Sequence, residues 1–130
     1  MSKKRVLDVG NCGPDHSAIK SMIESNFDAT VDRSILLDDT LTALQSRPYD
    51  LVLINRKLDE DYSDGIEILK HLKSDSRWRT VPVMLITNYT EHQQAAVAAG
   101  AEWGFGKLEL RNEETQTRLK KILGEKANVA

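Results

Sequence analysis

The sequence predicts a doubly wound α/β domain, a five-stranded parallel sheet with helices on both faces. Three observations predict it. Five short apolar runs alternate with stretches of helical periodicity, so strand and helix recur in turn along the chain. The runs 51–54 (Leu-Val-Leu-Ile) and 83–86 (Val-Met-Leu-Ile) are apolar at every position, the mark of strands buried on both faces. Parallel strands joined by right-handed crossovers then place helices on the two sides of one sheet.

The first strand is expected over residues 5–9, and Ile19, Met22, Ile23 and Phe27 follow at the spacing of one helix face. A second strand at 29–33 leads to Leu37, Leu41 and Leu44, again helically spaced. The third, 50–55, ends at Asn55, after which Ile66, Leu69 and Leu72 mark a helix. The fourth, 81–87, precedes an alanine-rich stretch at 95–99 that stops at Gly100, a natural helix C-terminus. A short fifth strand at 103–105 precedes a last helix whose apolar face carries Thr115, Leu119, Ile122 and Leu123, closed by Gly124. Residues 1–4 and 127–130 read as loose ends of a single domain spanning 1–130.

At 130 residues the chain suits one domain that buries roughly two-thirds of its unfolded surface. A net charge of -2 offers no general attraction to phosphate backbones or anionic lipid, so neither nucleic acid nor membrane is expected as a direct partner. Cys12 is the only cysteine, which excludes an intrachain disulfide and a metal site of several thiolates. The N-terminal residues contain no apolar stretch long enough for a signal peptide or membrane span, and the protein is read as cytoplasmic.

In doubly wound sheets ligands sit outside the carboxyl ends of the central strands, which directs attention to the loops after Val9, Asn55, Thr87 and Phe105. Around them lie Asp50-Leu-Val-Leu-Ile before Asn55, Asp64-Gly65 opening the third helix, Pro82-Val-Met-Leu-Ile-Thr87, and Ala99-Gly100-Ala101 leading to Lys107. In this order and spacing the chain resembles a receiver domain of two-component response regulators, from about residue 5 to the final helix. The resemblance implies a flavodoxin-like (βα)5 fold with strand order 2-1-3-4-5. It also implies phosphoryl transfer from a kinase histidine to an Asp at the end of the third strand. An acidic pair after the first strand would hold Mg²⁺, and a Thr or Ser and a Lys would contact the phosphoryl group.

Thr87 and Lys107 match that pattern, and the three carboxylates do not. Asn55 stands at the acceptor position, and a carboxamide, its nitrogen lone pair delocalised, is no nucleophile. Gly10 and Asn11 stand where the acidic pair is expected. Mg²⁺ is usually held by one or two carboxylates plus phosphate, so binding is expected to be weak or absent and no cofactor is assigned. Arg56 and Lys57, candidate anion contacts, should make the pocket net positive together with Lys107. Asn55 and Asn11 are expected to hydrogen-bond within it. Gly104 replaces the aromatic usual three residues before the Lys, and Leu108 the proline after it, which puts the conventional relay in doubt.

The expected function is therefore a receiver-like domain of a phosphorelay pathway, not an enzyme, that binds signalling proteins without Asp phosphorylation. A kinase, an output domain or a regulator would be the partner. In the family the face of the fourth helix, fifth strand and fifth helix commonly carries dimer or output contacts, so residues 95–123 are the expected surface. Two alternatives stay open. Another carboxylate, Asp59 or Asp8, could accept phosphate, or the Lys107 pocket could sense an anion or metabolite. Two further features are read as structural. The acidic loop 59–65 lacks the glycine and glutamate of a calcium loop, and Cys12 with His16 lacks a third orienting group for catalysis.

Overall fold

The computed structural model describes residues 3–126. The strands are β1 (Lys4–Val9), β2 (Ala29–Ser34), β3 (Leu51–Asn55), β4 (Val83–Ile86) and β5 (Glu102–Phe105). The helices are α1 (Gly13–Asn26), α2 (Leu37–Ser46), α3 (Gly65–Ser74), α4 (Thr90–Ala98) and α5 (Glu113–Leu123), with a short 3-10 turn at Lys107–Glu109. All pairings are parallel and the strand order is β2-β1-β3-β4-β5, the order the resemblance implied. Of the expected loose ends, residues 1, 2 and 127–130 lie outside the described residues, whereas Lys4 opens β1 and pairs with Ala29.

Two cores explain the strands without alternation. Successive side chains of a strand point to opposite faces. Val52 and Ile54 join Leu44, Leu69, Leu72 and Ala96 on the side of α2, α3 and α4. Leu51 and Leu53 join Ile19, Ile23, Phe105 and Leu119 on the side of α1 and α5. Each such side chain contributes about 1.5–3 kcal/mol on burial, so neither face of the central strands can be polar.

Local chemistry sets the helix starts. Pro14 lies in the first turn of α1, where its missing N–H costs nothing. Asp39 accepts from the backbone N–H of Ile35 and Leu36 at 2.7 Å each, closing the entry to α2. Asp64 caps α3 by accepting from Ile66 N–H at 3.0 Å. Gly124 ends α5 at φ 77°, as the sequence leads one to expect. The start of α4 had no signal in the sequence: the helix begins at Thr90, five residues before the alanine-rich stretch, and its inner face of Gln93 and Ala96 carries no apolar periodicity.

Candidate functional site

The carboxyl ends of the strands bring part of the predicted set together. Asn55, Arg56, Lys57, Thr87 and Lys107 line one cavity of about 290 Å³, joined by Tyr89 and His92 from the start of α4. Gly10 and Asn11 are not among its lining. They are enclosed beside it, and the reason lies in the loop between β3 and α3.

That loop is an ordered hairpin. Lys57 pairs with Asp64 in an antiparallel bridge, Leu58 N–H donates to Ser63 O at 2.9 Å, and Gly65 N–H donates to Arg56 O at 2.8 Å. Asp59 N–H reaches across to Gly10 O at 2.9 Å and so fixes the hairpin onto the end of β1. The fold buries Leu58, whose side chain occupies the space that a Cβ on Gly10 would need. Gly10 also sits at φ 79°, in the left-handed region that favours glycine. Sequence reading passed over Leu58. Its signal was present all the same, a lone leucine between Lys57 and Asp59-Glu60-Asp61.

Asn55 holds the same two loops. Its Nδ2 donates to Lys57 O at 2.7 Å and to Gly10 O at 3.3 Å. Asn11, fully buried, donates from Nδ2 to Asp8 Oδ1 at 2.5 Å, and its backbone carbonyl accepts from Arg33 Nη2 at 3.1 Å. Both carboxamides are thus hydrogen-bonded, but to different partners and not to each other. Asn11 Oδ1 is buried without a hydrogen-bond partner.

Asp8 is a locally paired buried acid. Its other oxygen meets His16 Nδ1 at 2.7 Å. Burial pushes the Asp8 carboxyl above its ordinary value, while His16, Asn11 and more distantly Arg33 pull it back. The raised value fixes a sign. The folded state binds more protons than the unfolded chain above the ordinary carboxyl range, so this contribution to stability is complete at lower pH and is lost as pH rises through the folded value. Asp8→Asn is expected to gain stability relative to wild type as pH rises from about 4 to 7, measured by urea unfolding. A difference independent of pH would contradict the assignment.

Lys107 is not a free cation. Its ammonium pairs with Asp15 of α1 at 2.7 Å and, with a smaller share from the Cys12 thiol, holds the Asp15 carboxyl below the usual range. This pair offsets one of the pocket's charges, and with Arg56 and Lys57 also in its lining the pocket keeps the net positive charge expected from the sequence. Thr87 Oγ1 lies 3.1 Å from His92 Nδ1 and accepts from Tyr89 N–H at 3.3 Å. Lys57 Nζ lies 5.5 Å from the centre of the Tyr62 ring.

The position of the missing aromatic is occupied differently. Two residues of β5, Trp103 and Gly104, stand against one of β4, Leu85, between the pairs Glu102–Met84 and Phe105–Ile86. This bulge presses Gly104 onto the backbone of Leu85. Buried Gln93 ties the strands together, accepting from Gly104 N–H at 2.8 Å and donating to Leu85 O at 3.0 Å and Thr87 O at 3.3 Å. Trp103 and Phe105 alternate with Gly104 and face the α5 side, with the Arg118 guanidinium 5.8 Å from the Trp103 ring.

The donors here do not form the Mg²⁺ site that the resemblance implies. Gly10 supplies no side chain and is covered by Leu58, Asn11 directs its amide to Asp8, and Asp8 is itself buried between two partners. Among the described residues no three His, Cys, Asp or Glu side chains are grouped to hold a metal ion. A small cation that keeps several waters is usually held by one or two carboxylates, and Gly10 and Asn11 supply none at the positions of the expected acidic pair.

No protein-family model matches the chain, and no curated protein matches it in sequence. Solved structures do match. The chain is similar to the signal receiver domain of a DNA-binding response regulator (merR) from Colwellia psychrerythraea 34H, with a TM-score of 0.80 and 20% identity over 95% of this chain and 100% of that one. It is similar to the chemotaxis response regulator CheY4 of Vibrio cholerae, with a TM-score of 0.73 and 19% identity over 94% and 100% of the two chains. A two-component response regulator from Clostridium difficile gives a TM-score of 0.75 and 18% identity over 93% and 96%. The protein has the fold of a receiver domain. Among the described residues, no helix is long and apolar enough to cross a membrane.

Proposed function

We propose that the protein is a receiver-like domain of a two-component signalling system that works by binding proteins, without phosphorylation at the third strand's end and without catalysis of its own. One observation carries this reading. The side chain at the acceptor position is an amide that donates to the carbonyls of Gly10 and Lys57, and so ties the loops after β1 and β3 together. In a phosphorylated receiver that position reacts, whereas here it is part of the scaffold. Mg²⁺ dependence is accordingly not expected. The partner is a kinase, an output domain, a regulator or a second copy, received on α4, β5 and α5, where Val97, Trp103 and, in the turn between β5 and α5, Leu108 are exposed.

The test is direct. After incubation with acetyl phosphate and Mg²⁺, the intact mass is expected to be unchanged. A stoichiometric, base-labile phosphoryl adduct on Asp59, which is exposed beside Gly10, or on Asp8 would overturn the reading. One observation favours a second reading, an anion sensor: Arg56, Lys57, His92 and Lys107 line the same cavity. In a thermal-shift series with phosphate and sulfate, that reading requires specific stabilisation lost in Arg56→Ala.

A further inference from the structure

We propose that the groove between the start of α2 and α3 receives a basic amphipathic helix of a partner protein. It encloses about 330 Å³ and is lined by Leu36, Leu37, Leu58 and Ile68, of which Leu36 and Leu37 are only half-buried. Asp38, Asp61, Asp64 and Glu67 supply the charge around these apolar side chains; the lining also holds His71 of α3 and no Lys or Arg.

The two properties select the occupant together. Apolar side chains facing water in a concave site call for an apolar anchor, and a groove flanked by helices suits a helix laid along it. Four carboxylates in a lining that holds no Lys or Arg repel nucleic acid, anionic lipid and acidic protein, and favour Lys or Arg beside the anchor. A metal ion is a poorer match, because two of the carboxylates are engaged locally. Asp64 accepts from Ile66 N–H, and Asp61 accepts from Ser63 N–H and Oγ. This surface is separate from α4, β5 and α5. It also touches the strand-end site, since Leu58 lines the groove and covers Gly10. A helix seated there contacts the side chain that closes the end of β1.

The probe is a fluorescein-labelled amphipathic helical peptide of leucine and lysine, with a leucine–glutamate peptide as the counterpart. The basic peptide is expected to bind, more weakly as salt rises, and to shift backbone amide signals of residues 36–38 and 58–71. The acidic one is expected not to bind. Asp38→Lys combined with Glu67→Lys, both at exposed helix positions, is expected to weaken binding by at least about tenfold. An unchanged unfolding midpoint keeps that result interpretable, and if the double variant fails to fold, Glu67→Gln read against the salt series replaces it. Unchanged affinity in the variants, or shifts centred on residues 95–123, would overturn the proposal. Self-association of the protein alone through residues 36–38 and 58–71 would also overturn it, by making a second copy the occupant. None of these outcomes depends on the phosphorylation state read by intact mass.

Discussion

Gly104→Ala is expected to destabilise the domain by about 3 kcal/mol, at the upper end of the cost of overpacking a core by one carbon. The bulge between β4 and β5 leaves no room for a Cβ at this point, and the obstacle is the main chain of Leu85, which cannot rotate away as a side chain would. Relief requires β5 to move off β4, and that movement would stretch the bond from Gly104 N–H to buried Gln93. An unsatisfied buried donor costs about 1–3 kcal/mol, so the strands gain little by separating. In thermal unfolding the substitution should lower Tm by roughly 10 °C. Gly104→Tyr, which reinstates the aromatic expected from the resemblance, should be tolerated less well still. An unchanged Tm for Gly104→Ala would mean that β5 adjusts freely. An aromatic at this place could then swing inward, and Gln93 would not hold the two strands in place.

The features legible in the sequence were those set by local pattern. Residues 51–54 and 83–86 face a core on both sides, so their unbroken apolarity announced the parallel sheet, and the carboxyl ends of those strands located Asn55 and Thr87, as that of the fifth strand located Lys107. What remained hidden depends on chain segments far apart. Leu58 is buried only because Lys57 pairs with Asp64 and the hairpin docks on Gly10. The Lys107–Asp15 pair joins the end of β5 to α1, and no spacing rule connects residues ninety-two positions apart. The start of α4 lacked a signal for a different reason. A buried glutamine serves where an apolar residue would be expected, and its worth lies in three backbone groups, one on β4, one on β5 and one just past the end of β4.

Returning carboxylates to the strand ends is expected to unfold the site and not to revive it, and Gly10→Asp should show the largest single effect. A non-glycine residue in the left-handed region at φ 79° costs about 1–2 kcal/mol, somewhat less for Asp than for most residues. Displacing Leu58 adds about 1–3 kcal/mol of overpacking. The sum, about 2–5 kcal/mol, is a large fraction of a typical domain's stability. Leu58→Ala alone should cost about 2–5 kcal/mol through the cavity it leaves. Because the same space is overfilled in one variant and emptied in the other, the double variant should be more stable than the sum of the two losses predicts, by about 1–2 kcal/mol. Asn55→Asp and Asn11→Asp meet their own obstacles. The first turns a donor to two carbonyls into an acceptor, and the second sets a carboxylate against buried Asp8. Urea unfolding of the single variants, of the Gly10→Asp and Leu58→Ala pair, and of the three Asp substitutions combined measures each term. If the combined variant proved as stable as wild type, a carboxylate site would be one small step away. The hairpin, Leu58 and the two carboxamides would then have no structural claim on these positions. Strict additivity in the Gly10 and Leu58 pair would remove Leu58 in particular as the element that closes the site.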